Sequence, residues 1–411
     1  MVSYRSVPRI LEIFKQRTTF VSTWIPHFTS VINWTLCLGL GLLKQVQPMT
    51  EPWVAIIDHS IDIGTKKAMV VLRIGMDALS KRGGAIQLSD CECIGLTVSE
   101  KVNGESIATE LNDIFAVAGK PLWIVKDADA TLQKGTRLCC ETDGAEGTVH
   151  VIDDIGHVMA NAIKKEYEKT SEYKRFTSLV SHGSKCLRQT NLAFIIPPKL
   201  RSKGRFQSIS NVGKWATKML AIFAVKGRAK EGSLIGRLRI AFPDLIKSRR
   251  FIEHFSRTTI GVSQVMKILK NKGLDKTTYK QCYALSKELP RNSTTKKCLQ
   301  SWLKQNREVQ KQIMPSMPLL VSSDIIESLF GHFKHIIERS PQADMNRSVL
   351  LIPALCGTLS DKVVTQALKQ TSQNDLKLWE DNNISYTVRK QRQAFFNGNV
   401  NPKNGELLCG F

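Results

Sequence analysis

Trp53-Val-Ala-Ile-Ile-Asp58-His-Ser-Ile-Asp-Ile-Gly64 is the stretch whose reading decides the fold. An unbroken apolar run this short, closed by a turn residue, reads as a strand buried on both faces. The run delivers a carboxylate, Asp58, to the end of that strand. Pro121-Leu-Trp-Ile-Val-Lys-Asp127 repeats the arrangement and delivers Asp127. A third acid, Glu327, lies one turn into an apolar helix beginning near Ser323. Carboxylates at the ends of buried strands are costly unless they are paired or bound to a cation. Three of them imply a metal.

Working outward from Trp53, residues 53–59, 67–74 and 92–98 read as strands, with turns at Gly64 and Gly83-Gly84. Asn103 caps a helix that places Ile107, Leu111, Ile114 and Phe115 on one side and stops at Gly119. Leu122 to Val125 is a short buried strand, and Val149 to Ile152 is another, followed by a helix through Val158 and Ile163. The order is three strands, helix, strand, helix, strand. A doubly wound nucleotide-binding fold would alternate strands and helices from its start and would carry a glycine fingerprint after the first strand, which is absent here.

The 411 residues divide by charge as well as by period. The net charge of +23 splits into +4 over 1–50, −7 over 51–160, +25 over 161–320 and +1 over 321–411. An acidic module is thus interrupted by a strongly basic one, as expected if a metal-binding site and a phosphate-binding surface share one chain. Residues 1–50 read as an N-terminal helical region, with helices over Tyr4 to Arg17 and about His27 to Gln45. Thr29, Ser30 and Asn33 on the second helix could meet DNA as in a helix-turn-helix; the alternative is a packing or dimerisation hairpin, and Gly39 and Gly41 weaken the helix end. Residues 161–320 are mostly helical in pattern, with apolar stripes at Trp215, Met219, Leu220 and Phe223 and at Val265, Ile268 and Leu269. Basic residues lie between the stripes: Arg201, Lys203 and Arg205 in one loop, Lys226 and Arg228 in another, and Ser248-Arg249-Arg250 at the end of a helix. These are the candidate DNA contacts. Residues 321–375 return to the first module with the Glu327 helix, and 376–411 form a polar tail.

Ten cysteines show no paired CxxC spacing. Cys91-x-Cys93 and Cys139-Cys140 are zinc half-sites without partners, so reduced cysteines in a cytoplasmic protein are the better reading. Residues 18–43 lack charge but hold Pro26, His27 and Asn33, which makes them poor material for a membrane span. No membrane partner is expected.

The acids and their surroundings resemble the DDE transposases, in particular bacterial insertion-sequence enzymes, whose catalytic domain is ribonuclease H-like. Asp58 matches the first acid, Asp127 the second and Glu327 the third. Lys334 stands seven positions after Glu327, and Asp154-Ile-Gly-His157 matches a D-x2-H element found between the second and third acids. Asp127 and Glu327 are 200 residues apart, which requires a long insertion, and Leu320 and Ser323 stand where one branch of the family has Tyr and Arg. The resemblance implies an α/β fold: a ribonuclease H-like mixed sheet flanked by helices, interrupted by a basic, mainly helical insertion. It also implies two Mg²⁺ or Mn²⁺ ions, with Asp58 bridging both and Asp127 and Glu327 holding one each. The implied activity is 3′-end cleavage and strand transfer on terminal inverted repeats and target DNA, by a nucleoid-associated homodimer or larger synaptic complex.

Each residue keeps an alternative. Asp129 competes with Asp127 and Asp62 with Asp58. Glu327 would also suit a cap beside Asp324, His157 a packed helix position, and Lys334 a solvated face. For the whole chain the rivals are a ribonuclease H-like nuclease without strand transfer and a basic regulatory or architectural DNA-binding protein.

Overall fold

A computed structural model describes residues 3–18, 24–63, 66–99, 102–141, 149–199, 209–224, 229–337 and 346–384, together with 387, 392–393 and 395–397. In chain order, α1 (Ser6–Arg17) and α2 (Phe28–Lys44) precede β1 (Trp53–Ile63), β2 (Lys66–Gly75), α3 (Met76–Arg82), β3 (Glu92–Ser99), α4 (Gly104–Ala118), β4 (Trp123–Lys126), α5 (Ala130–Glu141) and β5 (His150–Asp153). A helical stretch follows: α6 (Ile155–Tyr167), α7 (Ser171–Leu187), α8 (Ser210–Phe223), α9 (Leu234–Ala241), α10 (Arg249–Lys272), α11 (Lys276–Lys287) and α12 (Thr294–Ile313). The chain then adds α13 (Asp324–Ile337), α14 (Leu351–Ala354), α15 (Asp361–Lys369) and α16 (Gln373–Asn383). Two compact units result. One comprises Met1–Ala78, Ile86–Val151 and Ser323–Phe411, and the other Leu79–Ala85 and Ile152–Ser322.

The first unit is built on a five-stranded mixed sheet in the order β3-β2-β1-β4-β5. β1 pairs antiparallel with β2, and β2 with β3, whereas β4 lies parallel to β1. A parallel neighbour cannot be reached by a tight turn, and α4 supplies the crossover between β3 and β4. This α/β arrangement is consistent with the ribonuclease H-like sheet expected from the sequence. Successive side chains on a strand alternate between faces. Ala55, Ile57, Met69, Val71, Ile94 and Ile124 therefore share one core with Ile107, Leu111 and Phe115 of α4 and Leu132 of α5. Burying each such side chain contributes about 1.5–3 kcal/mol. Local signals place α4: Asn103 Oδ1 accepts the Ser106 N–H at 2.8 Å, and Gly119 leaves the helix with φ 84°.

Several details depart from the sequence reading. β2 runs directly into α3, so Gly83, with φ 60°, ends a helix there and does not form a hairpin turn. The expected turn at Gly64 lies outside the described residues. Gly39 and Gly41 do not weaken α2, which continues to Lys44. A Cβ on Gly39 would collide with the Leu350 carbonyl, and one on Gly41 with the Ala367 backbone, so these glycines permit close packing of α2 against the last helices. Ser248-Arg249-Arg250 begins α10 and does not end a helix. The tail read from 376 onward starts inside α16, which reaches Asn383.

The second unit is helical among its described residues, with α10 packed against α6, α8 and α11. Met219, Leu220 and Phe223 of α8 and Val265 and Leu269 of α10 are buried, as the apolar stripes require, while Trp215 and Ile268 are half-buried.

Candidate active site

The register of β1 against β4 brings two of the acids to one place. Ala55 pairs with Ile124, Ile56 with Val125 and Ile57 with Lys126. One step beyond this last pair lie Asp58 and Asp127, side by side where β4 ends, while β1, read from the sequence as stopping at His59, runs on to Ile63. Alternation puts Ala55 and Ile57 toward α4 and α5, so Asp58 belongs to the opposite face of the sheet, with Val54 and Ile56. The register of β1 against β2 slips between Asp58 and Ile61. An irregularity of this kind bends a strand and re-aims the side chains beside it.

Asp58 is only 4% exposed, and its Oδ1 accepts the His59 N–H at 2.6 Å. Asp127 is half-buried. Asp129 serves as a cap, since its Oδ1 accepts the N–H groups of Thr131 at 2.8 Å and Leu132 at 3.3 Å at the start of α5. Burial works against the ionised Asp129, but those N–H groups and nearby His59 outweigh it and hold the carboxyl below its ordinary range. Asp127 precedes this cap, directly after the last residue of β4. The side chain of Asp62 lies outside the described residues.

Glu327 occupies the first turn of α13, a helix that packs against β1 through a face containing the buried Ile326, Leu329, Phe330 and Phe333. No residue of α13 joins the core under α4 and α5. Glu327 itself is exposed. At about 100° per residue, Lys334 sits within about 20° of Glu327 around the helix, so the two share one flank. Asp58, Asp127 and Glu327 all belong to the first unit. Among the described residues no three His, Cys, Asp or Glu side chains stand close enough to hold a metal ion, so the pair of aspartates is assembled and the trio is not. The donor chemistry suits a hard divalent cation: adjacent carboxylates at a sheet edge, with a third on a helix packed against the same strand.

His157 belongs to the second unit, in the first turn of α6. Asp154 Oδ1 accepts the backbone N–H of His157 at 2.8 Å, so this aspartate caps α6 through the main chain. Arg249 pairs with Glu253 at 3.2 Å, whereas Arg250 lines a cavity. Arg201, Lys203, Arg205, Lys226 and Arg228 lie outside the described residues. The cysteines read as zinc half-sites are free, and burial pushes the Cys93 thiol up to about 12.

Two residues here escaped the sequence reading. Lys126 is 1% exposed and donates from Nζ to the Asp127 carbonyl at 3.2 Å. His59 is buried, with Nε2 3.4 Å from Asp129 Oδ1 in a charge contact that lacks hydrogen-bond alignment. Strand phase would have revealed Lys126, since it points to the same side as Ile124 and must be buried there.

No family model matches the sequence, and no curated protein matches it. Among solved structures the chain is similar to one described as the Drosophila P element transposase strand transfer complex. The identity is 10% and the TM-score 0.45, over 87% of this chain and 90% of that one. No described helix is long and apolar enough to cross a membrane.

Proposed function

We propose that the chain is a DNA transposase of the insertion-sequence type, cutting 3′ ends and joining them to target DNA. The observation that carries this reading is the strand register that puts Asp58 of β1 beside Asp127, just past the end of the parallel neighbour β4, in a sheet ordered β3-β2-β1-β4-β5. A buried carboxylate beside a second one is unfavourable on its own and is relieved by a shared cation. Asp58, Asp127 and Glu327 would hold two Mg²⁺ or Mn²⁺ ions, which supply an activated water at neutral pH and neutralise charge on the leaving oxygen. Asp58, the most enclosed of the three acids, would serve as the shared ligand, and Asp127 and Glu327 would each serve one ion.

The other residues act on the substrate. Lys334, on the Glu327 flank of α13, contacts DNA near the cut, and His157 touches the scissile phosphate. Lys126 holds the Asp127 main chain from the far side of the sheet. A freed 3′-hydroxyl then replaces water as nucleophile in the same site, and no covalent enzyme intermediate is needed. Pairing of two element ends calls for a homodimer or larger synaptic complex. The test is a strand-transfer assay with Mg²⁺ or Mn²⁺ on the element's own terminal repeats. Cleavage followed by joining supports the reading, cleavage alone points to a nuclease, and binding alone points to an architectural protein.

A further inference from the structure

Within the second unit, α10 presents Arg250, His254 and Arg257 at helical spacing on one side, with Lys247 one turn ahead of Arg250. Two cavities open along this side, one of about 550 Å³ and one of about 490 Å³. Both are lined by Arg250 and His254, so they form one groove. Lys247 and Phe251 line the first cavity and Arg257 the second.

The acids near the groove are mostly committed elsewhere. Glu166 accepts the Thr295 N–H at 2.7 Å and the hydroxyls of Ser293 and Thr294, which anchors the start of α12. Glu253 pairs with Arg249, and Asp244 pairs with Arg175 at 3.3 Å and Lys247 at 2.9 Å. Glu166 and Glu172 line the first cavity and Glu253 the second, and Glu172 accepts a hydrogen bond from Ser171. Among the described residues, neither Arg250 nor Arg257 has an acidic partner within ion-pair distance. The first turn of α10 carries no acid either, so Arg249 and Arg250 crowd the positive end of its dipole.

His254 adds a directional group. The Tyr167 hydroxyl donates to Thr258 Oγ1 at 2.9 Å, so its contact with His254 Nδ1, also 2.9 Å, requires the imidazole to donate. That bond fixes the ring and leaves Nε2 as the atom with which His254 meets a ligand.

We propose that this groove binds the phosphodiester backbone of one DNA strand, with Arg250 and Arg257 gripping separate phosphates. Seven residues of helix span about 10 Å, enough to reach more than one phosphate of a strand that carries one per ~3.4 Å of duplex axis. Repeated guanidinium groups along an open groove suit a linear polyanion better than a single compact anion. The proposal rests on the DNA-processing reading above for its ligand class; of the basic candidates at Arg249 and Arg250 it keeps Arg250, and it adds Arg257 and a defined groove.

The test is binding of a labelled DNA duplex to the full chain, followed by fluorescence anisotropy across a KCl series. In R250A/R257A, the slope of log affinity against log salt should fall by about 1.8, that is ~0.9 for each lost phosphate contact, with binding about 10-fold weaker at low salt. R250K/R257K should keep a slope near that of wild type, and K311A, which removes a lysine already paired with Glu308 on α12, should change nothing. A wild-type slope in R250A/R257A overturns the groove while leaving the transposase reading intact. Absence of salt-dependent DNA binding by the wild-type chain overturns both.

Discussion

The carboxyl end of β1 and β4 and the groove along α10 solve opposite electrostatic problems. In the first unit, two carboxylates are brought together at a sheet edge, one of them only 4% exposed. In the second, arginines without acidic partners are gathered on one helix side, and the nearby acids are engaged by other groups. Under the proposals above, a cation would relieve the first region and a polyanion the arginines of the second. The division of net charge along the sequence, −7 over 51–160 against +25 over 161–320, has the same pattern. If catalysis and grip are divided in this way, either should be removable without the other.

That separation yields ranked tests. The largest effect is expected for D58N and D127N, each lowering metal-dependent cleavage about a thousand-fold, the equivalent of several kcal/mol of lost transition-state stabilisation. DNA affinity in the same variants should stay within about 2-fold of wild type by anisotropy, since the phosphate contacts that dominate affinity are made elsewhere. G39A comes next: its methyl group meets the Leu350 carbonyl, and the overpacking should cost about 1–3 kcal/mol. A thermal melt should show this as a fall of roughly 3–10 °C.

D129A sharpens the contrast between neighbouring acids. Loss of the α5 cap should cost about 1 kcal/mol in a denaturant titration. If Asp129 is only a cap, cleavage by D129A should be far less impaired than cleavage by D127N. The smallest effect is expected for E166Q, which keeps an acceptor at the start of α12 but loses its charge, costing about 0.5–1 kcal/mol at neutral pH. Burial works against the ionised Glu166, but the Thr295 N–H and the neighbouring hydroxyls prevail and depress its pKa. A depressed carboxyl stabilises the fold above its unfolded-state pKa, about 4.3, and loses that contribution as pH falls through the lower folded value. The stability difference between E166Q and wild type should therefore shrink on acidification through that window.

Local signals made much of this architecture legible in advance. The apolar runs ending at Asp58 and Asp127 form the first half of β1, which continues to Ile63, and β4, and the Asn103 cap and Gly119 stop bound α4. Period, capping and turn chemistry depend only on near neighbours. Features that depend on distant partners were misread or missed. Gly39 and Gly41 looked like helix weaknesses until Leu350 and Ala367 supplied the surfaces they admit. Ser248-Arg249-Arg250 reads from the sequence as the end of a helix, and cations are favoured at the carboxyl terminus of a helix and not at its start. In the structure the two arginines stand at the opposite terminus, with Arg249 offset by Glu253 one turn later. In the candidate site, the acids were visible in the sequence, whereas the coupling of His59, Asp129 and Lys126 to them required the strand register.

Divalent-ion binding by the first unit is the property on which the catalytic reading depends most directly. Mn²⁺ bound to the full chain with end DNA, counted by electron paramagnetic resonance, should show two ions per active site in the wild-type protein. D58N should lose both, and D127N should lose one or bind it much more weakly. Wild-type Mn²⁺ occupancy in D58N, with DNA still bound, would contradict a shared-cation role for Asp58 and with it the catalytic reading.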